Sequence, residues 1–267
     1  MDLGLEGATA VVTGGSKGMG RAIAERLATE GAQVAVLARG RQAIDDTVAA
    51  LHGVGSDRSF GLTVDVTDKE GVDAAFAELD RRWSSLNVLV NTLGPGAGRF
   101  EQLDDGDWDA TFDLGVMAAV RCVRAALPLL RAAPWARIVN VSAHSTQRQS
   151  PLLVAYTAAK SALTSVSKNL SKSLAPDGIL VNTVSPGSIV TASFSEGLRA
   201  AFEEEGLDAT DPIDVMTWID KHFHQPADLG RAGLPEEVAS VTAYLASLTN
   251  GYVTGANVNV DGGSDFV

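Results

Sequence analysis

Short and almost continuously apolar runs recur along the chain, at Thr9–Thr13, Gln33–Ala38, Ser59–Val66, Asn87–Leu93, Arg137–Ser142, Ile179–Ser185 and Ala256–Val260. Helical spacing of apolar residues fills most of the gaps, at 18–30, 41–51, 69–83, 107–132, 154–174 and 235–248. A strand that is apolar on both faces has no side to give to water, which marks a parallel sheet buried above and below. Helical crossovers between such strands cover both faces, so the pattern predicts an α/β fold with a doubly wound parallel sheet. No Pro/Ser-rich linker, low-complexity tract or repeat divides residues 1–267, and the chain reads as a single domain.

Ligands of doubly wound sheets bind beyond the carboxyl ends of the strands. The informative residues gather there: Gly14, Ala38-Arg39, Asp65, Asn91, Ser142 and Pro186-Gly187. After the first strand, Gly14, Gly18 and Gly20 permit a sharp turn and close approach of a ligand to the backbone. The helix that follows offers unpaired N–H groups and the positive end of its dipole, which suits a pyrophosphate. Three glycines alone are weak evidence, but here they sit between a strand and a helix, as a nucleotide cradle requires.

Composition narrows the picture. Apolar residues make up 45% of the chain, enough for a sheet covered on both faces. The single cysteine, Cys122, excludes an internal disulfide and a cysteine zinc site, and reads as a packed core residue. A net charge of −12 argues against nucleic acid or an anionic membrane as partner. Nine acids between 192 and 230 face only Arg199 and Lys221, a balance of −7, which reads as a solvated helical face. No targeting pattern and no run of 18 apolar residues is present, so a cytoplasmic protein is expected.

Tyr156 and Lys160, four apart on one helix face, add chemistry. A phenol with pKa of about 10 is a poor base at neutral pH. A nearby ammonium and an oxidised nicotinamide ring would each stabilise the phenolate and bring it into the range of a general acid/base. With these residues in place the chain resembles the short-chain dehydrogenase/reductases over nearly its whole length. The matching elements are Thr13–Gly20, Asp65-Val66, Asn91-Thr92-Leu93-Gly94, Tyr156–Lys160, Ser185-Pro186-Gly187 and Tyr252–Gly255 before Val260–Gly263.

The resemblance implies a seven-stranded Rossmann sheet that binds NAD(H) or NADP(H). It implies hydride transfer between nicotinamide C4 and a carbonyl or alcohol carbon, with Tyr156 moving the proton. The cofactor would lie on Gly14, Ser16, Lys17, Gly18, Met19, Gly20, Gly94, Pro186 and Gly187. Asp65 would bind the adenine amino group, Val66 flank the ring and Asn91 sit near the adenine ribose. Lys160 would hold the nicotinamide ribose, Ile189 offer its backbone to the carboxamide and Thr191 its hydroxyl to the cofactor. For Asp65, Asn91 and Thr191 the alternative is capping or turn formation. NAD-specific relatives carry an acid at the end of the second strand. This chain has Ala38 there, then Arg39, with Lys17 on the same side, so NADP(H) is favoured and NAD(H) stays open if Arg39 instead stacks on adenine.

Two departures stand out. The family's catalytic serine falls on Ala143; Ser145 is the expected substitute, with Ser142 and His144 as alternatives; strand alternation turns Ser142 away unless the chain has already left the sheet there. Gly115 occupies the place of an asparagine whose carbonyl anchors a lysine-bound water, so the carbonyl survives and the side chain that pins the local helix distortion does not. These changes open a second reading, a cofactor-binding protein with little activity; a separate alternative is an NAD-dependent alcohol dehydrogenase working in the oxidative direction.

By the same resemblance, 192–230 is a helical substrate lid with helices at Glu196–Glu205 and Ile213–His222. Phe194, Phe202, Met216, Trp218 and Phe223 would either roof a bulky substrate or pack the lid itself. His222 and His224 lack further spaced ligands, so no metal is expected. The acidic lid, and Asp177 where carrier-protein reductases carry arginine, disfavour carrier-bound acyl substrates. A free small-molecule ketone or alcohol, steroid-like or polyketide-like, fits better. Related proteins assemble through the helices at 107–132 and 154–174 and the last strand, so a homotetramer or homodimer is expected.

Overall fold

The computed structural model describes residues 2–224 and 226–264. Among these residues one parallel sheet of seven strands runs in the order β3-β2-β1-β4-β5-β6-β7. The strands are β1 (Thr9–Thr13), β2 (Gln33–Ala38), β3 (Phe60–Thr63), β4 (Val88–Asn91), β5 (Ala136–Val141), β6 (Ile179–Pro186) and β7 (Asn257–Val260). Its helices are α1 (Gly18–Thr29), α2 (Arg41–Gly53), α3 (Lys69–Trp83), α4 (Asp105–Phe112), α5 (Ala118–Ala132), α6 (Val154–Ser173), α7 (Ala192–Glu204), α8 (Pro212–Phe223) and α9 (Pro235–Leu245). Strand order reverses between β1 and β4, and the crevice at that switch point opens above their carboxyl ends.

Alternation along β1 sorts the core. Ala10 and Val12 pack with Ile23 and Leu27 of α1 and Val238 of α9, while Val11 faces Val72 and Phe76 of α3 and Cys122 of α5. Every residue of β4 and β5 is buried, whereas the edge strands β3 and β7 are mostly half-exposed. Each fully buried Val or Leu contributes roughly 1.5–3 kcal/mol, so the central strands anchor the fold. β3 and β4 are shorter than the apolar runs 59–66 and 87–93. Past Thr63 and Asn91 the chain leaves the ladder, and Val64 to Thr67 and Thr92 to Gly94 line the crevice instead.

The stretch 107–132 is not one helix. A π-helical turn, Asp113–Met117, divides α4 from α5 with Gly115 at its centre. A Cβ on Gly115 would lie 3.0 Å from Ala159 Cβ and 3.1 Å from Pro95 Cγ. The distortion therefore forms without an asparagine, its space taken by Pro95. A 3.6-residue period cannot register the single extra residue of a π turn.

α7 and α8 build a small core of their own, with Phe202, Val215, Met216, Trp218 and Ile219 buried. Several acids here have local partners. Asp211 caps α8, accepting from the N–H groups of Ile213 and Asp214, and Glu205 accepts from Lys221 and His222. Asp208 accepts from both the N–H and the hydroxyl of Thr210. No helix among the described residues is long and apolar enough to cross a membrane.

Candidate active site

At the end of β1, Gly14 takes φ +66° and donates its N–H to the Leu37 carbonyl at 2.8 Å. A Cβ on Gly14 would collide with the Thr92 carbonyl, and one on Gly20 with the Gly14 carbonyl. The turn and the first residues of α1 thus sit directly against the gap between β1 and β4, with the helix N-terminus facing the crevice. A cavity of about 380 Å³ lies there, lined by Gly14, Ser16, Lys17, Arg39, Asp65, Val66 and Gly94 among others. Lys17 and Arg39 are both exposed, and no salt bridge among the described residues includes either.

Asp65 forms a turn while lining this cavity. Its Oδ1 accepts from the Thr67 N–H at 3.0 Å and the Thr67 hydroxyl at 2.7 Å, and these bonds, with a smaller contribution from Arg39, hold its carboxyl below the ordinary range. Asn91 differs from the expectation of an adenine-ribose contact. Its side chain is buried, accepts from the Thr13 hydroxyl at 3.2 Å and donates to Asn140 Oδ1 at 2.8 Å. Asn140 donates onward to Ser167, so this amide ties β1, β4, β5 and α6 together inside the core.

On α6, Lys160 is 2% exposed and donates to the carbonyls of Leu93 and Val141, each at 2.7 Å. Burial pulls its pKa down to about 7, while the two carbonyls favour the ammonium. Its Nζ lies 5.9 Å from the centroid of the half-buried Tyr156 ring. Loss of water pushes the Tyr156 phenol up to about 12, opposite to the expected lowering. The ammonium is turned toward the strand-end carbonyls, so it does not offset that loss.

Ser142 directly follows β5. Its hydroxyl donates to the Lys160 carbonyl at 3.1 Å and lies 2.9 Å from the Thr164 hydroxyl. The residue also lines the cavity beside Ala143 and Tyr156 and the smaller one beside Lys160. Ser145 sits on a 3-10 turn, His144–Thr146, and accepts from the Thr157 hydroxyl at 3.1 Å. With its acceptor side so occupied, its own proton can be donated elsewhere. Ser145, Ala143, His144 and Tyr156 line a second cavity of about 270 Å³. His144 Nδ1, when protonated, donates to the Pro186 carbonyl at 3.1 Å.

Pro186 and Gly187 border this second cavity, and Gly187 packs so closely on Asp261 that a Cβ would lie 2.8 Å from its Cα. Ile189 bridges Gly233 in parallel, with bonds made by the Ser188 carbonyl and the Val190 N–H. In that pattern the N–H and carbonyl of Ile189 itself point to the opposite side. Thr191 caps α7, accepting from the Phe194 N–H, and also lines a smaller cavity shared with Gly18, Met19, Tyr156 and Lys160. Met19 borders both this cavity and the second one.

Of the five residues expected as a roof, only Phe194 and Phe223 line the second cavity, whereas Phe202, Met216 and Trp218 fill the α7–α8 core. Leu153, Ile219 and the Ser145 partner Thr157 carried no signal in the sequence. Ile219 is one of many apolar residues at helical spacing, and Thr157 meets Ser145 only through tertiary structure. His222 pairs with Glu205 at 2.6 Å, and no group of three metal-ligating side chains occurs among the described residues.

A family model described as enoyl-(acyl carrier protein) reductase matches residues 14–265. The short-chain reductase protein NovJ of Streptomyces niveus is 34% identical over 255 residues, covering 95% of this chain and 92% of that protein. L-sorbose reductase of Gluconobacter frateurii, solved with NADPH and L-sorbose, has a TM-score of 0.91 at 31% identity, covering 99% of this chain and 98% of the other. An NADPH-bound short-chain oxidoreductase of Pseudomonas aeruginosa PAO1, described as containing an atypical catalytic center, has a TM-score of 0.86 at 29% identity, with 96% of each chain covered. Likeness that runs through the whole sheet and both sides of the crevice places the chain in the short-chain dehydrogenase/reductase family, as an oxidoreductase acting on carbonyl and alcohol carbons.

Proposed function

We propose that the chain is an NADP(H)-dependent carbonyl reductase with Tyr156 as its proton donor. The observation that carries the cofactor choice is the pair of cations, Lys17 and Arg39, on the wall of the glycine-turn cavity, with Ala38 where an acid would repel a 2′-phosphate. The cavity suits a dinucleotide, since it runs from the turn at Gly14, which packs against the Thr92 carbonyl too closely for a Cβ, to Asp65 and Val66 past β3. Asp65, Val66 and Gly94 would flank the adenosine half, and the backbone of Ile189 and the hydroxyl of Thr191 the nicotinamide half. When bound, the nicotinamide supplies the hydride.

The protein supplies the proton and the orientation. With its phenol pushed up to about 12, Tyr156 holds its proton at neutral pH and can donate to a developing alkoxide. Ser145, accepting from Thr157, directs its own proton into the chamber and takes the work of the serine missing at Ala143. Lys160 restrains the carbonyls of Leu93 and Val141 and, when charged, places an ammonium 5.9 Å from the Tyr156 ring, which favours the phenolate that proton donation leaves behind. The α7–α8 segment, with its own core and with Phe194 and Phe223 on the chamber wall, acts as the lid, and the protein self-associates through α5 and α6. Ala143 favours one competing reading, a cofactor-binding protein with little turnover.

Calorimetric titration with NADPH and NADH tests the cofactor assignment. A charged hydrogen bond contributes about 1.5–3 kcal/mol, so NADPH should bind roughly 10- to 100-fold more tightly. Arg39→Asp should abolish or reverse that preference. Equal affinity in the unaltered protein would overturn the assignment.

A further inference from the structure

Resting on the carbonyl-reductase reading, we infer that the substrate is a neutral ketone whose carbonyl is carried on an apolar skeleton of one or two fused rings. It is neither a polyhydroxylated ketose nor an anionic or carrier-bound acyl chain. The second cavity is polar around the reacting end, where Tyr156, Ser145 and His144 meet. Ser142 and Ser188 also line it, and its other large side chains are apolar: Met19, Leu153, Phe194, Ile219 and Phe223. Among the described residues no Asp, Glu, Lys or Arg lines it, in contrast to the neighbouring cavity with Lys17, Arg39 and Asp65.

The apolar walls decide against a ketose. Hydroxyls along its chain would lose water and face Met19, Ile219 and two phenyl rings, and unpaired buried polar groups are costly. Flat ring systems suit the same walls, because aromatic faces pair well in offset or edge-on arrangements. An aromatic layer backs these rings: Phe194 packs edge-on to Phe202 with centroids 6.3 Å apart, Phe202 stacks on Trp218 at 5.1 Å, and Trp218 lies 5.8 Å from Phe223. A volume of about 270 Å³ lies just below the usual range for ligand sites, about 300–1,000 Å³, which favours one or two rings over a larger skeleton.

Charge decides against an anion. The 192–230 segment that contributes Phe194, Ile219 and Phe223 carries nine acids against two bases, so an approaching carboxylate or phosphate meets a repulsive field. Asp177, by β6, is engaged with Arg131 at 2.9 Å and adds no cation to the surface.

Three probes separate these properties: 2-acetylnaphthalene, its carboxylated analogue 6-acetyl-2-naphthoate, and L-sorbose. Their binding to the full-length protein is measured by saturation-transfer NMR and calorimetry, without cofactor and again with NADP+. The expected order is 2-acetylnaphthalene first, with the carboxylated analogue weaker by roughly tenfold or more and L-sorbose weaker still. Phe223→Ala should weaken 2-acetylnaphthalene roughly tenfold while leaving NADPH affinity unchanged. Phe194→Ala gives a second reading of the same wall. Equal or tighter binding of the naphthoate or of L-sorbose would overturn the inference, as would failure of all three to bind. Absence of NADPH binding would overturn the reductase reading separately, because ligand preference is also read on the protein alone.

Discussion

The glycine-turn cleft proposed for the cofactor and the chamber proposed for the substrate are joined by the smaller cavity beside Tyr156 and Lys160, yet they are built by opposite means. The cleft is set by backbone: the turn at Gly14, the N-terminus of α1, and the carboxyl ends of the buried strands β2 and β4 and of the edge strand β3, with Lys17, Arg39 and Asp65 on its wall. The outer wall of the chamber is side chains, with Phe194, Ile219 and Phe223 delivered by two helices that have their own core around Phe202 and Trp218. A backbone site tolerates few alternatives, whereas a side-chain wall can be rebuilt without disturbing the sheet.

The largest effect should come from the residue that lines both the chamber and the cavity joining it to the cleft. Tyr156→Phe removes the proton donor, and turnover should fall about 10²- to 10⁴-fold with NADPH affinity unchanged. A Tyr156→Phe variant that reduces ketones at more than a tenth of the original rate would break the link between the two halves. Next comes a test of their independence. Trp218→Ala opens a cavity in the α7–α8 core at a cost of about 3–5 kcal/mol, so ketone affinity should collapse while calorimetry still finds NADPH bound. Parallel loss of NADPH affinity would show that the segment and the cleft are one unit. The smallest expectation concerns the sheet side. Cys122 is fully buried and desolvation pushes its thiol up to about 12, so at pH 8 it stays protonated and should not react with a thiol reagent until the protein is unfolded. Labelling of the native protein within minutes would mean that α5 opens readily.

The same division governed what could be read from the sequence. Strand positions, the glycine turn and the Tyr156–Lys160 spacing depend on local pattern, and the bounds of β1 and β2 match their apolar runs residue for residue. For Asn91 the network was not legible, because a polar residue at a strand end looks the same whether it faces a ligand or bonds to Thr13 and Asn140. The π turn around Gly115 rests on contacts with Pro95 and Ala159, distant in the chain or on another helix, which periodicity cannot register. For the chamber, the aromatic residues of 192–230 were visible, but which of them face inward depends on how α7 packs on α8. Ser145 carried a hint through its closeness to Ala143, whereas the bond from Thr157 that frees its proton exists only in three dimensions.

The central claim is that the chamber still performs proton-coupled carbonyl reduction with alanine at 143, through Ser145 and not Ser142. Steady-state NADPH oxidation with 2-acetylnaphthalene, compared among the unaltered protein, Ser145→Ala and Ser142→Ala, tests it most directly. Loss of one oxyanion-type donor should lower kcat roughly 10²- to 10³-fold in Ser145→Ala, while Ser142→Ala keeps kcat within about twofold. Full turnover by Ser145→Ala, or a loss confined to Ser142→Ala, would contradict the account.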